Sequence, residues 1–188
     1  MSSDQFDLFG GVPPAAPSGG NGGNSDRNAP SAAAPRAAAR ADAVQPAHFD
    51  ATLGELAAAL PAGARFGTSS WSFAGWTGLV YGETYSEQKL SRQGLTAYAR
   101  HPLMKTVGID RTFYAPISEA DFRRYATQVR GVAADFRFLV KAPMLFTGPR
   151  LRSDSGEWSD NPAFLNAGLA AAQFVWPAVT GLGDTCGA

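Results

Sequence analysis

Residues 105–143, KTVGIDRTFYAPISEADFRRYATQVRGVAADFRFLVKAP, contain the pattern that decides the fold. A β-branched segment at 105–110 precedes a helical pattern that starts at Ser118 and stops at Gly131, and an alternating segment follows at 136–141. The helical pattern has apolar residues at i, i+3, i+4 and i+7, namely Phe122, Tyr125, Ala126 and Val129. A strand, a helix and a second strand in this order predict a βαβ unit with parallel strands and a right-handed crossover.

Two amphipathic helices and a short strand at 65–69 are predicted before this unit. The first helix starts at the capping-box pair Thr52 and Glu55. The apolar stripes consist of Leu53, Leu56 and Leu60 in the first helix and of Leu90, Leu95, Tyr98 and Ala99 in the second.

One more helix is predicted after Lys141. Asn161 as the cap and Pro162 at the first helical position open this helix, and Pro177 closes it. Its apolar stripe consists of Leu165, Leu169, Ala172 and Trp176. A fourth strand is then expected to begin within GLGDTCGA at 181–188.

Three βα units predict an α/β protein, and the alternatives are a small three-stranded layer and a truncated barrel. We favour the barrel because a three-stranded parallel sheet leaves an unpaired edge and a helix layer with little to cover. Residues 48–188 are therefore interpreted as the first three units of a parallel β/α (TIM-type) barrel, incomplete at its C-terminal side.

Residues 1–47 have a different composition. Runs such as GGNGGN and APSAAAPRAAARA contain almost no large apolar side chains. Such a segment cannot bury enough surface to offset its ordering entropy, so the sequence predicts a disordered tail.

Charge and composition exclude several classes of protein. The 16 basic and 16 acidic residues balance, which argues against a strongly electrostatic DNA-coating protein. The lone Cys186 excludes an internal disulfide framework and a zinc site built from clustered cysteines. The start MSSDQFDLFGG lacks an export signal, and no apolar run reaches the roughly 18 residues of a membrane span. We therefore expect a cytoplasmic protein without a membrane partner.

Three strand-end motifs resemble a known family: GTSSWSFAGWTGLVY at 67–81, VGIDRTFYAPIS at 107–118 and FRFLVKAP at 136–143. Together with NPAFLNAGLAAAQFVWPAVTGLGD at 161–184, they resemble the YecE-like family, a domain of unknown function (domain of unknown function 72). The resemblance implies a single β/α barrel that continues into a fourth strand containing Gln and Pro. Family members often have Glu where this chain has Gly108. The resemblance implies architecture and no settled activity.

The carboxyl ends of the strands are the expected location of an active site, because β/α barrels place their active sites there. If Val107 faces the helices, strand alternation turns Asp110 inward, and the same argument turns Lys141 inward on the next strand. A carboxylate beside a cation suits a general base paired with a group that stabilises an anion. We take Asp110 and Lys141 as the candidate catalytic residues, with a structural ion pair as the alternative.

Six further residues near the strand ends are candidate substrate-binding residues: Ser69, Ser70, Trp71, Trp76, Thr112 and Tyr114. The serines have a structural turn as the alternative, and the aromatic residues, with Phe113, have ordinary packing as theirs. His48 and His101 precede the first helix and the second strand, so neither predicts a catalytic base or a metal ligand. The sequence assigns no metal and no particular cofactor.

The tail contains Gln5-Phe6-Asp7-Leu8-Phe9, which resembles the bacterial sliding-clamp-binding peptide. Gln5, Leu8 and Phe9 keep the anchors of that pattern, and Phe6 replaces the usual Leu. The clamp is therefore a predicted partner, with docking of this segment on its own domain as the alternative.

These observations favour an enzyme, a hydrolase or lyase by fold analogy, that acts on a phosphate-bearing or nucleic-acid-derived substrate. Asp110 and Lys141 are its proposed acid–base and electrostatic groups, and the tail recruits it to the clamp. The alternatives are a non-catalytic module that binds a small anion and a truncated product without function.

Overall fold

The predicted parallel sheet is present. A computed structural model describes residues 43–187. Three strands pair in sequential order and all are parallel. They are β1 Phe66–Thr68, β2 Met104–Ile109 and β3 Arg137–Val140. The α/β class is confirmed. These strands form an open sheet, so closure into a barrel stays a proposal.

Residues 44–47, which the sequence assigned to the tail, pack against the loop that follows β1. Val44 and Ala47 are buried, and the backbone N–H of Ala47 donates to the carbonyl of Val80 at 2.9 Å. The rest of the predicted tail, residues 1–42 with the clamp-binding motif, lies outside the described residues.

Helices precede and follow the strands, and a hairpin follows β3. The helices are α1 Ala51–Ala59, α2 Glu87–Gln93, α3 Leu95–Tyr98, α4 Glu119–Arg130, α5 Met144–Thr147, α6 Ala167–Ala170 and α7 Trp176–Leu182. The hairpin consists of the antiparallel strands β4 Arg150–Arg152 and β5 Trp158–Asp160. Short 3₁₀ segments are Ala74–Trp76, Asp110–Phe113 and Gly183–Thr185.

Helix α4 is the crossover helix predicted from residues 105–143. The Ser118 side chain accepts a hydrogen bond from the backbone N–H of Asp121 at 3.1 Å, and Gly131 ends the helix. All four residues of the predicted stripe are buried. The apolar period therefore located both the helix and its buried face.

One face of the sheet forms the core. Val107, Ile109, Phe136 and Phe138 are at most 1% exposed and pack in one cluster with α3, α4 and α7. Because successive side chains of a strand point to opposite faces, Leu139 lies on the other face, where it is half exposed. The predicted strand parity is confirmed.

Helix α1 begins differently from the prediction. Asp50 is its cap, and the Asp50 Oδ1 accepts from the backbone N–H of Leu53 at 3.1 Å. The capping-box prediction at Thr52 is therefore wrong, because an acceptor two residues earlier already caps the helix. The helix has no buried residue, and Leu56 of the predicted stripe is 53% exposed.

The start of the last helix is also a correction. Asn166, not Asn161, caps α6. Asn161 is buried, and its amide donates to the carbonyls of Leu145 and Gly148, both at 2.7 Å. These carbonyls need a donor because buried polar groups are costly without one. The Asn161 side chain therefore organises the preceding loop.

Pro177 does not close this helix. A π-helical segment, Ala171–Val175, joins α6 to α7, and the backbone N–H of Trp176 donates five residues back. This wider turn accommodates a proline that has no backbone N–H. Leu165 and Trp176 of the predicted stripe are 74% and 62% exposed. Helix α7 instead packs on α4 through Gly181.

The outer edge of β3 is paired by the last described residues. Cys186 forms a parallel bridge with Phe138, and the N–H of Gly187 donates to the Phe138 carbonyl at 2.9 Å. The pairing is a single bridge at the place where the sequence pattern expects a fourth strand to begin, and the described sheet has three strands.

Candidate functional site

An open cavity of about 490 Å³ lies along the face of the sheet opposite the core. Gly67 and Gly108 contribute no side chain to its floor. Arg65 lines the cavity before β1, and Asp110 and Lys141 line it just after β2 and β3. Because the strands are parallel, Asp110 and Lys141 share the carboxyl edge of the sheet.

Asp110 and Lys141 form the ion pair predicted from strand parity. The distance from Lys141 Nζ to Asp110 Oδ2 is 3.7 Å, and the same Nζ lies 4.9 Å from the centre of the Phe113 ring. The Lys141 and Asp110 side chains are 51% and 39% exposed. An exposed pair stabilises a fold by only about 0–1 kcal/mol. A ligand can therefore separate the two charges at little cost.

The charges around the cavity favour an anionic ligand. Arg65 and Lys141 are cationic, and Asp110 is the one carboxylate among the described lining residues. The Arg65 Nε donates to the backbone carbonyl of Asp135 at 3.4 Å. Because that acceptor is a neutral carbonyl, the contact does not neutralise the positive charge of Arg65. An anion entering the cavity meets one more cation than carboxylate.

Thr112 supports the strand ends from the buried side. Its side chain is fully buried, and its Oγ1 lies 2.6 Å from the carbonyl oxygens of both Ile109 and Lys141. This candidate substrate-binding residue does not line the cavity. It instead fixes the backbone beside Asp110 and Lys141.

The two adjacent serines have different positions. Ser69 is exposed and lines the cavity beside Gly108. Ser70 belongs to a turn: its Oγ lies 3.1 Å from Ser72 Oγ, and its carbonyl accepts from Thr68 Oγ1 at 2.6 Å. Of the pair, only Ser69 is placed to contact a ligand in this cavity.

The predicted aromatic residues do not line this cavity within the described part of the chain. Trp71 is buried, and its ring meets the edge of Tyr125 with the centres 5.0 Å apart. Tyr114 is exposed and packs edge-on against Phe113 at 5.4 Å. Trp76 lines a second cavity. The structure therefore brings together three of the eight candidates in 43–187, namely Ser69, Asp110 and Lys141.

Sequence reasoning missed Tyr98, which it treated only as a member of a helix stripe. The Tyr98 hydroxyl lies 3.1 Å from Thr68 N, 2.9 Å from Thr68 Oγ1 and 3.1 Å from the Thr106 carbonyl. Burial raises the pKa of Tyr98 above its usual value. This hydroxyl joins β1 to β2. The signal available in the sequence was that a buried tyrosine needs a partner.

Arg65 was also missed. Strand alternation counted back from Ser69 places residues 65 and 67 on the cavity face. The two-residue alternation that predicted the positions of Asp110 and Lys141 therefore also predicts Arg65 on this face.

Within residues 43–187, no group of three or more His, Cys, Asp or Glu side chains is placed to hold a metal ion. His48 and His101 both line the second cavity. None of the helices in the same residues has the length and apolar character needed to cross a bilayer.

Comparison with known families gives one match, to the family described as "Protein of unknown function DUF72", over residues 65–185. The chain belongs to the DUF72 family. The DUF72 match starts one residue before β1 and includes the open cavity and α7. It confirms the resemblance carried by the three strand-end motifs. Comparisons with curated proteins and with solved structures find no match.

Proposed function

We propose that the open cavity binds a phosphate-bearing or nucleic-acid-derived anion and that Asp110 and Lys141 act on it in a hydrolase or lyase reaction. The observation that carries this proposal is the solvent-accessible pair, 3.7 Å from Nζ to Oδ2, on the cavity rim at the carboxyl ends of adjacent strands. Active sites of β/α folds are built at this edge.

The chemistry divides between the two side chains. Lys141 lies where it can stabilise an anionic oxygen, and Asp110 is a carboxylate that can accept a proton from a nucleophile or from a substrate carbon. Ser69 lines the same cavity and supplies a hydroxyl for orientation. Binding of the anion to Lys141 replaces part of its attraction to Asp110, which frees the carboxylate to act as a base.

A non-catalytic module that binds a small anion is the second candidate. The excess of cationic side chains around the cavity favours it equally, since binding requires Arg65 and Lys141 but no base. The two functions differ in the role of Asp110. In an anion-binding module this carboxylate only weakens binding, whereas in an enzyme it is required for turnover.

Single substitutions separate these candidates. With inorganic phosphate as the probe in calorimetry, Lys141→Met should weaken binding at least about tenfold, and Asp110→Asn should leave it equal or tighter. With p-nitrophenyl phosphate as the test substrate, Asp110→Asn should remove turnover if the site is catalytic. Lys105→Met is the matched control, because Lys105 forms a 3.9 Å ion pair with Asp135 near the start of β2. Unchanged phosphate affinity in Lys141→Met would refute the anion site.

We also propose that the sheet is part of a closed β/α barrel. The parallel bridge of Cys186 to β3 supports this, because a barrel requires a fourth strand at that edge. Hydrogen–deuterium exchange of the backbone amides tests it: strong protection along the outer edge of β1 requires a strand paired there.

Recruitment to the bacterial sliding clamp is a separate proposal that rests on the motif with Gln5, Leu8 and Phe9. Short peptides that order on binding have weak affinity, so we expect a micromolar-class complex, about −8 kcal/mol. Fluorescence anisotropy of peptide 1–20 with purified clamp measures this. Replacing Leu8 and Phe9 together by Ala should remove binding, whereas Asp7→Ala should change it little. Equal millimolar binding by the native and double-Ala peptides would end this proposal.

A further inference from the structure

A second cavity, of about 370 Å³, lies between β1, the loop after β1 and helix α1. Its walls are mostly apolar or aromatic and include Phe49, Trp76, Tyr98 and Met104. Asp110 and Lys141 do not line it. Its volume falls within the roughly 300–1,000 Å³ of small-molecule sites, which combine apolar walls with a few polar groups that fix orientation.

Most polar groups on the floor of this cavity already have partners. The Tyr98 hydroxyl accepts from Thr68 N–H and lies within hydrogen-bond distance of Thr68 Oγ1 and the Thr106 carbonyl. Thr68 Oγ1 donates to the Ser70 carbonyl at 2.6 Å. At the rim, the Asp50 carboxylate caps α1. Neither hydroxyl has a proton left for a ligand, and an ionised carboxylate only accepts, so none of these groups can donate to a ligand.

His101 differs from these groups. It is 7% exposed, its ring packs edge-on against Phe49 at 4.7 Å, and its Nδ1 accepts from the backbone N–H of Leu103 at 3.2 Å. Burial lowers the pKa of His101, which favours the neutral ring. A neutral ring that accepts at Nδ1 carries its proton on Nε2. Within residues 43–187, that Nε2–H has no hydrogen-bond acceptor.

We propose that this second cavity binds a small, neutral aromatic compound whose single hydrogen-bond acceptor receives the Nε2–H of His101. The flat walls of Phe49, Trp76 and Tyr98 favour a planar ring, since aromatic groups pack well in offset or edge-on contacts. A neutral ligand fits better than an anion, because the Asp50 carboxylate at the rim keeps its negative charge while it caps α1. The ligand acceptor gives the Nε2–H of His101 a partner in the cavity that this residue lines.

Acetophenone and ethylbenzene are matched probes, because they have similar shape and only acetophenone has an acceptor. Titrated into the full chain and observed by saturation-transfer NMR, acetophenone should bind about tenfold more tightly than ethylbenzene. In ¹⁵N-histidine-labelled protein, the Nε2 resonance of His101 should shift with acetophenone and not with ethylbenzene.

His101→Asn tests the donor. The Asn Oδ1 can still accept from Leu103 N–H, but its amide is too short to reach the position of Nε2. This variant should bind ethylbenzene within about twofold of the parent chain and lose the tenfold preference for acetophenone. Circular dichroism checks that it is folded.

Two further variants locate the probes. Leu53 lines the cavity, so Leu53→Trp should fill part of it and weaken both probes, whereas Asp110→Asn, at the first cavity, should change the affinity of neither. Equal affinity of the two probes, a preference that survives in His101→Asn, or no binding of either probe to the full chain would each overturn the proposal. None of these outcomes bears on phosphate binding at Lys141.

Discussion

The two faces of the sheet differ sharply in burial, although they consist of alternate residues on the same strands. On the core face, Val107, Ile109 and Phe138 are at most 1% exposed. On the cavity face, Leu139 is 50% exposed, and the charged pair lies at the strand ends. The difference shows that one face supplies the hydrophobic stabilisation. The other face is left partly open to solvent within residues 43–187, and the proposed anion site lies there.

Neighbouring residues of β3 give the largest test of this difference. Phe138→Ala should lower the free energy of unfolding by about 3–5 kcal/mol, because it removes a fully buried ring from the core. Leu139→Ala, one position later, should cost less than about 1 kcal/mol. Urea denaturation of both variants measures this contrast. Equal losses would show that Leu139 is covered in solution, as it would be in the packed interior of a closed barrel.

The next largest loss of stability is expected at the contact between helices α7 and α4, which cover the core face of the sheet. A Cβ at Gly181 would lie 2.5 Å from Phe122 Cβ and 2.6 Å from the Glu119 carbonyl oxygen. Gly181→Ala should therefore cost about 1–3 kcal/mol through overpacking of α7 on α4.

Gly54→Ala is the matched control for that substitution. Gly54 lies in α1 with no heavy atom within 4 Å of its added Cβ, so the same change should stabilise by about 0.5–1 kcal/mol. A gain at both glycines, seen as higher melting temperatures, would contradict the close packing of α7 on α4.

Acid should lower the free energy of unfolding through the protonation of His101. Burial lowers the pKa of His101 in the folded state, so the neutral ring is favoured there, and protonation favours unfolding. Stability should be complete above the unfolded pKa of about 6.5 and should fall as the pH drops below it, until the folded pKa is reached. Urea midpoints between pH 8 and pH 5 measure this, with His101→Asn as the control. A midpoint that is the same at both pH values would contradict it.

The smallest effect on stability is expected at the charged pair. Asp110→Asn and Lys141→Met should each change the free energy of unfolding by at most about 1 kcal/mol, because the pair is exposed and screened. Urea denaturation with and without 0.5 M NaCl measures this. A loss above about 2 kcal/mol in either variant would assign the pair a structural role.

Much of the fold was predictable because local periods determine it. The alternation around Val107 and Phe138 predicts which residues face the core and predicts that Asp110 lies beside Lys141, and the structure has both. The helical period of α4 likewise predicts which of its residues are buried. Both patterns involve only residues of the same strand or helix, so they can be read from a single sequence.

The remaining errors come from contacts between distant residues. Asn161 and Asn166 are equally good caps in sequence, and only the buried carbonyls of the preceding loop decide between them. Trp71 follows a strand end as an active-site residue would, but its ring is buried in the core against Tyr125 of α4. Such contacts form only in the complete fold, so neither the pattern nor the spacing revealed them.

The buried hydroxyl of Thr112 has an evolutionary consequence. It fixes the carbonyls of Ile109 and Lys141, so the backbone at the rim keeps its position whichever side chains occupy positions 110 and 141. Substitutions at these two positions should therefore cost almost nothing in folding free energy. A lineage that retains Thr112 can exchange these two side chains on an unchanged backbone, which would let the proposed site adapt to new ligands.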